Sequence, residues 1–287
     1  MWIIITLVCA FFFATSDALS KAALRDSPPF GLAWVRYALG APFLWVFLPW
    51  CRLPPEIGQY ALYFALAMPL EILAIVFYMR ALSRSPLSLT VPFLAFTPVA
   101  AIFTGWLILG EKPNLAGIGG VFLVAGGAYV LSLRKEVPGL LSPFRLLLVE
   151  RGSLMMLAVA MIYSVTAIAG KKMVLLSSPF FMAISYNLGM SIALTFFLAL
   201  RHGPQIFPKL VTRPILWAVG LSESLHAATH VIAITMAPAA YMIAVKRVSL
   251  FFGVLYGIFL FREGSAAFRL AGSLIMLLGV FTLAFFR

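Results

Sequence analysis

Long apolar stretches, each broken off by a short cluster of charge and proline, follow one another along the whole of this 287-residue chain. A helix that crosses a bilayer needs roughly 20 mostly apolar residues. Cutting at the polar breaks predicts ten such spans, at 2–20, 30–49, 59–79, 87–109, 115–133, 153–170, 180–200, 215–236, 240–261 and 268–286. Within each span the apolar residues are continuous, without the polar–apolar alternation of barrel strands, so helices are expected rather than a β-barrel. The fold class is therefore an all-α membrane protein with ten transmembrane helices.

Composition agrees. With 63% hydrophobic and 10% charged residues and a mean hydropathy of +1.06, the chain has too little polar surface to cover a water-soluble globule. Little sequence remains outside the spans, so function has to be built from membrane helices and short loops. No Lys or Arg precedes the first apolar stretch, and that stretch reads as the first span rather than a secretion signal. Cys9 and Cys51 have neither metal nor redox spacing and read as packing residues.

The net charge of +12 brings in nucleic acid as a partner, but the basic residues are scattered over loops without an aromatic-basic stacking pattern. No nucleic acid is expected. With both termini on one side, the loops there carry five Lys and Arg (Arg52, Lys112, Lys171, Lys172, Arg287) against thirteen on the other. Read alone, that count places the termini outside.

Shifted by 152 residues, the chain matches itself at Glu71/Glu223, Ala81/Ala233, Pro86/Pro238, Gly105/Gly257, Glu111/Glu263, Gly120/Gly272 and Gly127/Gly279. Four of its seven Glu fall into two pairs at this one offset. A period this long points to two fused copies of a membrane unit, an arrangement common among secondary transporters. Each copy holds five spans, and an odd number turns the second copy upside down. The expected organisation is two inverted five-helix repeats, 1–133 and 153–287, joined by a linker at 134–152 that suits a short interfacial helix.

An Ala-x4-Pro turn precedes the fourth and ninth spans, a Gly-Glu or Arg-Glu step follows them, and Gly recurs nine and sixteen residues beyond each Glu. Together with Lys21, the "SPPF" loop and the "WVRYALG" start of the second span, these features make the whole chain resemble EamA-type members of the drug/metabolite transporter (DMT) superfamily. The resemblance implies a multi-pass carrier of the inner (plasma) membrane with a central cavity, lined mainly by spans 1, 3, 4, 6, 8 and 9. It implies export of amino acids or other small metabolites by alternating access, and cytoplasmic termini. The last point conflicts with the loop charges, and the family topology is adopted.

Ionisable groups in the hydrocarbon region cost roughly 2.5–3.5 kcal/mol each on insertion scales, so they usually face a cavity or a partner. Glu71 and Glu223 occupy equivalent positions of the repeat and are the candidates for proton coupling; the alternative is a buried ion pair or hydrogen-bonded acid that locks helices. Glu223, His226 and His230 share one face of the eighth span. That stripe suits a proton relay or substrate wall, a metal site, or histidines satisfied by carbonyls. The ligand types are plausible for metal, but Ala74 and Tyr78 stand at the repeat-equivalent positions, and no metal is expected.

Lys246 and Arg247 stand where the first copy has Leu94 and Ala95. About 100° separates neighbours on a helix, so at most one of the two is expected to point squarely into the cavity. Lys246, sharing a face with Ser249, is a candidate for binding an anionic or carboxylate-bearing substrate, or for pairing with Glu223 until substrate displaces it; snorkelling to the headgroups is the alternative. The candidate substrate-binding set is Glu71, Tyr78, Tyr163, Glu223, His226, His230, Lys246 and Ser249. Weaker polar candidates are Ser16, Asp17, Lys21, Trp34, Arg36, Ser164, Tyr186 and Asn187.

The pattern includes no nucleotide-binding loop or nucleophile elbow, so neither an enzyme nor a cofactor is expected. The partners anticipated are a small molecule, the lipid bilayer and protons, with a monomer sufficient. Rival readings are an importer or facilitator for a cationic compound, and a membrane scaffold that transports nothing.

Overall fold

The computed structural model describes residues 1–85, 91–131, 150–261 and 267–285, and the described residues contain helices and no strand. The helices are α1 (Trp2–Ala23), α2 (Pro29–Ala38), α3 (Ala41–Trp45), α4 (Ile57–Arg84), α5 (Phe96–Leu109), α6 (Leu115–Leu131), α7 (Arg151–Leu176), α8 (Pro179–His202), α9 (Ile206–Val211), α10 (Pro214–Ala233), α11 (Ala239–Lys246), α12 (Ser249–Phe261) and α13 (Ala267–Phe285). By length and composition α1, α4, α7, α8 and the stretch Ala239–Gly257 suffice to cross a membrane. Large apolar side chains such as Ile4, Phe103, Phe196, Leu274 and Phe281 face outward, whereas Ser16, Asp17, Arg36, Asn187 and Arg247 are buried. That inversion of a soluble protein's pattern suits lipid as the solvent.

Two predicted spans are interrupted. The span 30–49 becomes α2, α3 and a 3-10 turn at Leu48–Trp50, because Pro42 and Pro49 bring no amide proton to a continuing helix. Gly40, at the first break, faces Gly220 of α10: a Cβ on Gly220 would stand 2.8 Å from the Gly40 nitrogen. The Ser224 hydroxyl donates to the Gly40 carbonyl at 2.7 Å. Small residues therefore let α2 reach α10, and this contact carries Arg36 to Glu223.

The span 240–261 divides between α11 and α12 without proline or glycine at the break. Around Arg247 and Val248 the backbone tightens to i→i+3 bonds: Arg247 N–H to Ala244 at 2.9 Å, Val248 N–H to Val245 at 3.0 Å and Leu250 N–H to Arg247 at 2.9 Å. Side chains on either side of such a turn no longer follow a 3.6-residue period.

The most extensive helix pairings are α6 with α13, α1 with α10 and α4 with α7. In the first, Gly127 meets Gly272 and Gly120 meets Gly279, each close enough that a Cβ would fall 2.6–3.2 Å from the opposing carbonyl oxygen. Small residues permit such backbone approach inside a membrane.

At one end of the bundle Gly110, with φ +68°, terminates α5, and Glu111 N–H returns to the Gly105 carbonyl at 3.2 Å. Glu111 is thereby aimed at Lys171, 2.5 Å away, and also accepts from Ala239 N–H at 2.8 Å. Lys171 donates to the Ala237 carbonyl at 2.7 Å. This knot ties α5, α7 and the entry to α11. Lys21, at the end of α1, donates to the Ser85 carbonyl at 3.0 Å, and Ser85 and Ala237 are 152 positions apart. Pro86, Glu263 and nearly all of the linker 134–152 lie outside the described residues.

Candidate functional site

A cavity of about 160 Å³ lies among α1, α2, α4, α5, α7, α8, α10 and α11. Glu71, Tyr163, Glu223, His226, His230 and Lys246 all line it. Tyr78 and Ser249 do not. Tyr78 shares the Glu71 face of α4 but is wholly buried, its hydroxyl donating to Asp17 Oδ2 at 2.5 Å. Ser249 lies beyond the tightened turn, which removes it from the Lys246 face; its buried Oγ has no hydrogen-bond partner among the described residues. The same turn puts Lys246 and Arg247 together on the cavity wall, where an unbroken helix would have admitted one of them.

Glu223 is held by Arg36, not by Lys246. The guanidinium reaches Glu223 Oε2 through NH2 at 2.5 Å and Nε at 2.7 Å, and Asp17 Oδ1 through NH1 at 3.0 Å. Ser16 donates to Glu223 at 2.8 Å, and Glu223 Oε1 lies 3.1 Å from His226 Nδ1. Arg36 also packs against the rings of Phe13 and Tyr78, with centroids 5.7 and 5.4 Å from its guanidinium carbon. At 2% exposure it is a buried cation shared by two buried carboxylates. Removing one member of such a cluster leaves an uncompensated charge in low dielectric. Arg36 was only a weak candidate on sequence, because its partners come from α1 and α10.

Glu71 has different surroundings. It lines the cavity together with Tyr37 and Thr166, and no cation among the described residues lies within 4.0 Å. Between α1–α2 and α7–α8 the sequence matches itself at an offset of 150, as in Lys21/Lys171, Pro29/Pro179 and Phe30/Phe180. Thr166 therefore corresponds to Ser16, which donates to Glu223. Asp17 and Arg36, however, correspond to Ala167 and Tyr186. The carboxylates are alike in placement and unlike in charge balance.

Lys246 Nζ lies 3.3 Å from His230 Nδ1 and 5.4 Å from the centre of the Phe13 ring. Arg247 is 1% exposed, and its Nε and NH1 have no hydrogen-bond partner among the described residues. Thr97 Oγ1, Tyr186 OH, Asn187 Oδ1 and His226 Nε2 are unpartnered in the same sense, and all five residues line the cavity. Buried polar groups normally find partners; unpaired ones gathered around one cavity mark a space for water or a polar ligand. Of the remaining candidates, Trp34 donates from Nε1 to Thr195 at 2.7 Å, and Ser164 donates to the Met161 carbonyl at 2.7 Å. The first bond joins α2 to α8, the second lies within α7, and neither Trp34 nor Ser164 lines the cavity.

Residues 1–133 match the EamA-like transporter family. That segment is similar to a family which is itself part of the DMT superfamily of membrane transporters. A solved structure described as "Crystal structure of protein" superposes with a TM-score of 0.75 at 16% identity, over 99% of this chain and 96% of its own. That likeness establishes the shared fold. No curated protein matches the chain.

Proposed function

We propose that the chain is a secondary transporter of the inner (plasma) membrane that exports amino acids or closely related compounds by alternating access. Its ten spans form two inverted five-helix repeats, 1–133 and 153–287, and one chain suffices. Support for the inversion comes from the reciprocal contacts Gly120–Gly279 and Gly127–Gly272. In an antiparallel pair related by a two-fold axis, the first member of one copy meets the second member of the other. Support also comes from the pairings α1 with α10 and α4 with α7, which exchange when the copies are exchanged.

The observation that carries the substrate reading is the charge distribution in the cavity. Among the described residues Glu71 has no ion-pair partner and Lys246 and Arg247 pair with no carboxylate, whereas the Asp17–Arg36–Glu223 cluster is internally engaged. A zwitterion answers both kinds of free charge, with its ammonium at Glu71 and its carboxylate at Arg247 and Lys246. The two cations weigh against a purely cationic cargo. Glu71, free of a cation, is the carboxylate suited to exchange protons, and Glu223 is confined by Arg36.

The test is uptake into proteoliposomes of a mixed pool of amino acids and small metabolites, with and without an imposed pH gradient. Gradient-driven accumulation that is lost in Glu71→Gln supports the reading. Flux indifferent to that substitution removes proton coupling at Glu71, and accumulation of amines in preference to zwitterions removes the substrate assignment.

A further inference from the structure

We propose that Cys9, His226 and His230 form a binding site for a borderline-soft divalent transition-metal ion of the zinc or cobalt type, set in the cavity wall. Sequence spacing supplied two of these ligands and missed the third. Cys9 stands on α1, and only the packing of α1 against α10 brings its thiol to the imidazoles. A donor atom from each of the three residues lies within 4.8 Å of the others. His226 and His230 are one turn apart on α10, their ring centres 5.8 Å from each other. The Cys9 sulfur lies 3.7 Å from the His226 carbonyl, so it sits against the same turn.

The second observation is the state of His226. Glu223 Oε1 stands 3.1 Å from Nδ1 and, as a carboxylate, accepts the proton there; the lone pair is then on Nε2. That atom is buried and has no partner among the described residues. A carboxylate holding one ring nitrogen while the other is free is the arrangement that orients metal-binding imidazoles. Glu223 acts here as a positioning residue, itself fixed by Arg36.

One thiolate and two imidazoles select zinc, cobalt or similar ions over magnesium and calcium, which take oxygen ligands. Both imidazoles line the cavity, whereas Cys9 is fully buried behind them. Three protein donors leave a tetrahedral ion one position short, and that position falls on the cavity side, open to water or to a carboxylate or amine. Binding exchanges the Cys9 thiol proton for the ion, with the proton leaving to solvent. Lys246, 3.3 Å from His230 Nδ1, opposes the ion as a like charge and has to withdraw when it enters.

The inference stands on direct ion binding and is independent of the transport reading. Co2+ titrated into the purified full-length chain in detergent gives, on this assignment, intense tetrahedral d–d bands and a sulfur-to-cobalt charge-transfer band. Both saturate at one ion per chain and are abolished by Zn2+. Cys9→Ser removes the charge-transfer band, Cys51→Ser leaves it, and His226→Asn and His230→Asn each weaken binding by roughly tenfold or more. Lys246→Met tightens binding. A wild-type chain without the charge-transfer band, or a band that survives Cys9→Ser, overturns the site; so does Lys246→Met weakening it.

Discussion

Arg36 reaches across from α2 to hold Glu223 of α10 at 2.5 Å, and the same guanidinium is bound by Asp17 of α1. Three helices are thus tied at one buried cation beside the cavity. Arg36→Met leaves two carboxylates buried without a counter-charge, at an expected loss of about 3–5 kcal/mol. Adding Asp17→Asn and Glu223→Gln to that variant restores most of the loss. Thermal unfolding of the single and triple variants in detergent checks both outcomes; equal stability of the two sinks the argument.

Glu71 and Glu223 separate under the same substitution. Glu223→Gln disturbs the Arg36 cluster and lowers the unfolding temperature. Glu71→Gln, with no ion pair among the described residues to break, leaves it within about 0.5 kcal/mol of wild type while removing pH-gradient-driven flux. Measuring stability and flux on the same two preparations decides the matter, and the reverse assignment of effects would refute it.

Arg247 is held in the cavity wall with unmet donors. Replacing it by Met removes a desolvated charge, so the chain becomes more stable to heat. The same change weakens binding of a carboxylate-bearing substrate by about 1.5–3 kcal/mol, the range for a hydrogen bond to a charged group. Stability and substrate affinity moving in the same direction would exclude Arg247 as a ligand-binding group.

The α6–α13 crossing depends on backbone contact. A Cβ at Gly127 would lie 2.5 Å from the Met276 nitrogen, and one at Gly272 2.5 Å from the Leu131 nitrogen. Neither obstacle is a flexible side-chain end, so Gly127→Ala or Gly272→Ala separates the helices and costs several kcal/mol, on the order of a severe overpacking defect. At Gly119 and Gly126 no atom of another element among the described residues lies within 4 Å of the corresponding position. Alanine there stabilises the helix by up to about 1 kcal/mol. A thermal-shift series over the four sites tests the contrast.

Hydrophobic length, the 152-residue echo and the paired carboxylates were readable along the chain, because each is a property of residues near one another or of two copies compared in register. Six of the eight substrate-binding candidates line the cavity for the same reason: a charged or aromatic residue in a buried helix is visible wherever its helix packs. Tyr78 and Ser249 went elsewhere. Tyr78 shares the Glu71 face of α4, but helical periodicity says nothing of Asp17 waiting on α1, and it failed at Ser249, where no proline or glycine announces the turn at Arg247 and Val248.

The sequence by itself thus determined the membrane solvent and the helical class, since these follow from local hydrophobicity, and its internal repetition supplied the expectation of a duplicated plan. Only the tertiary structure decided which charges are spent on one another and which remain free. Arg36 meets Glu223 because Gly40 and Gly220 let α2 close on α10, and Cys9 meets two histidines because α1 packs against α10. Ion pairing and coordination act over a few ångströms between helices distant in sequence, and no periodicity within one helix records which neighbour it will face.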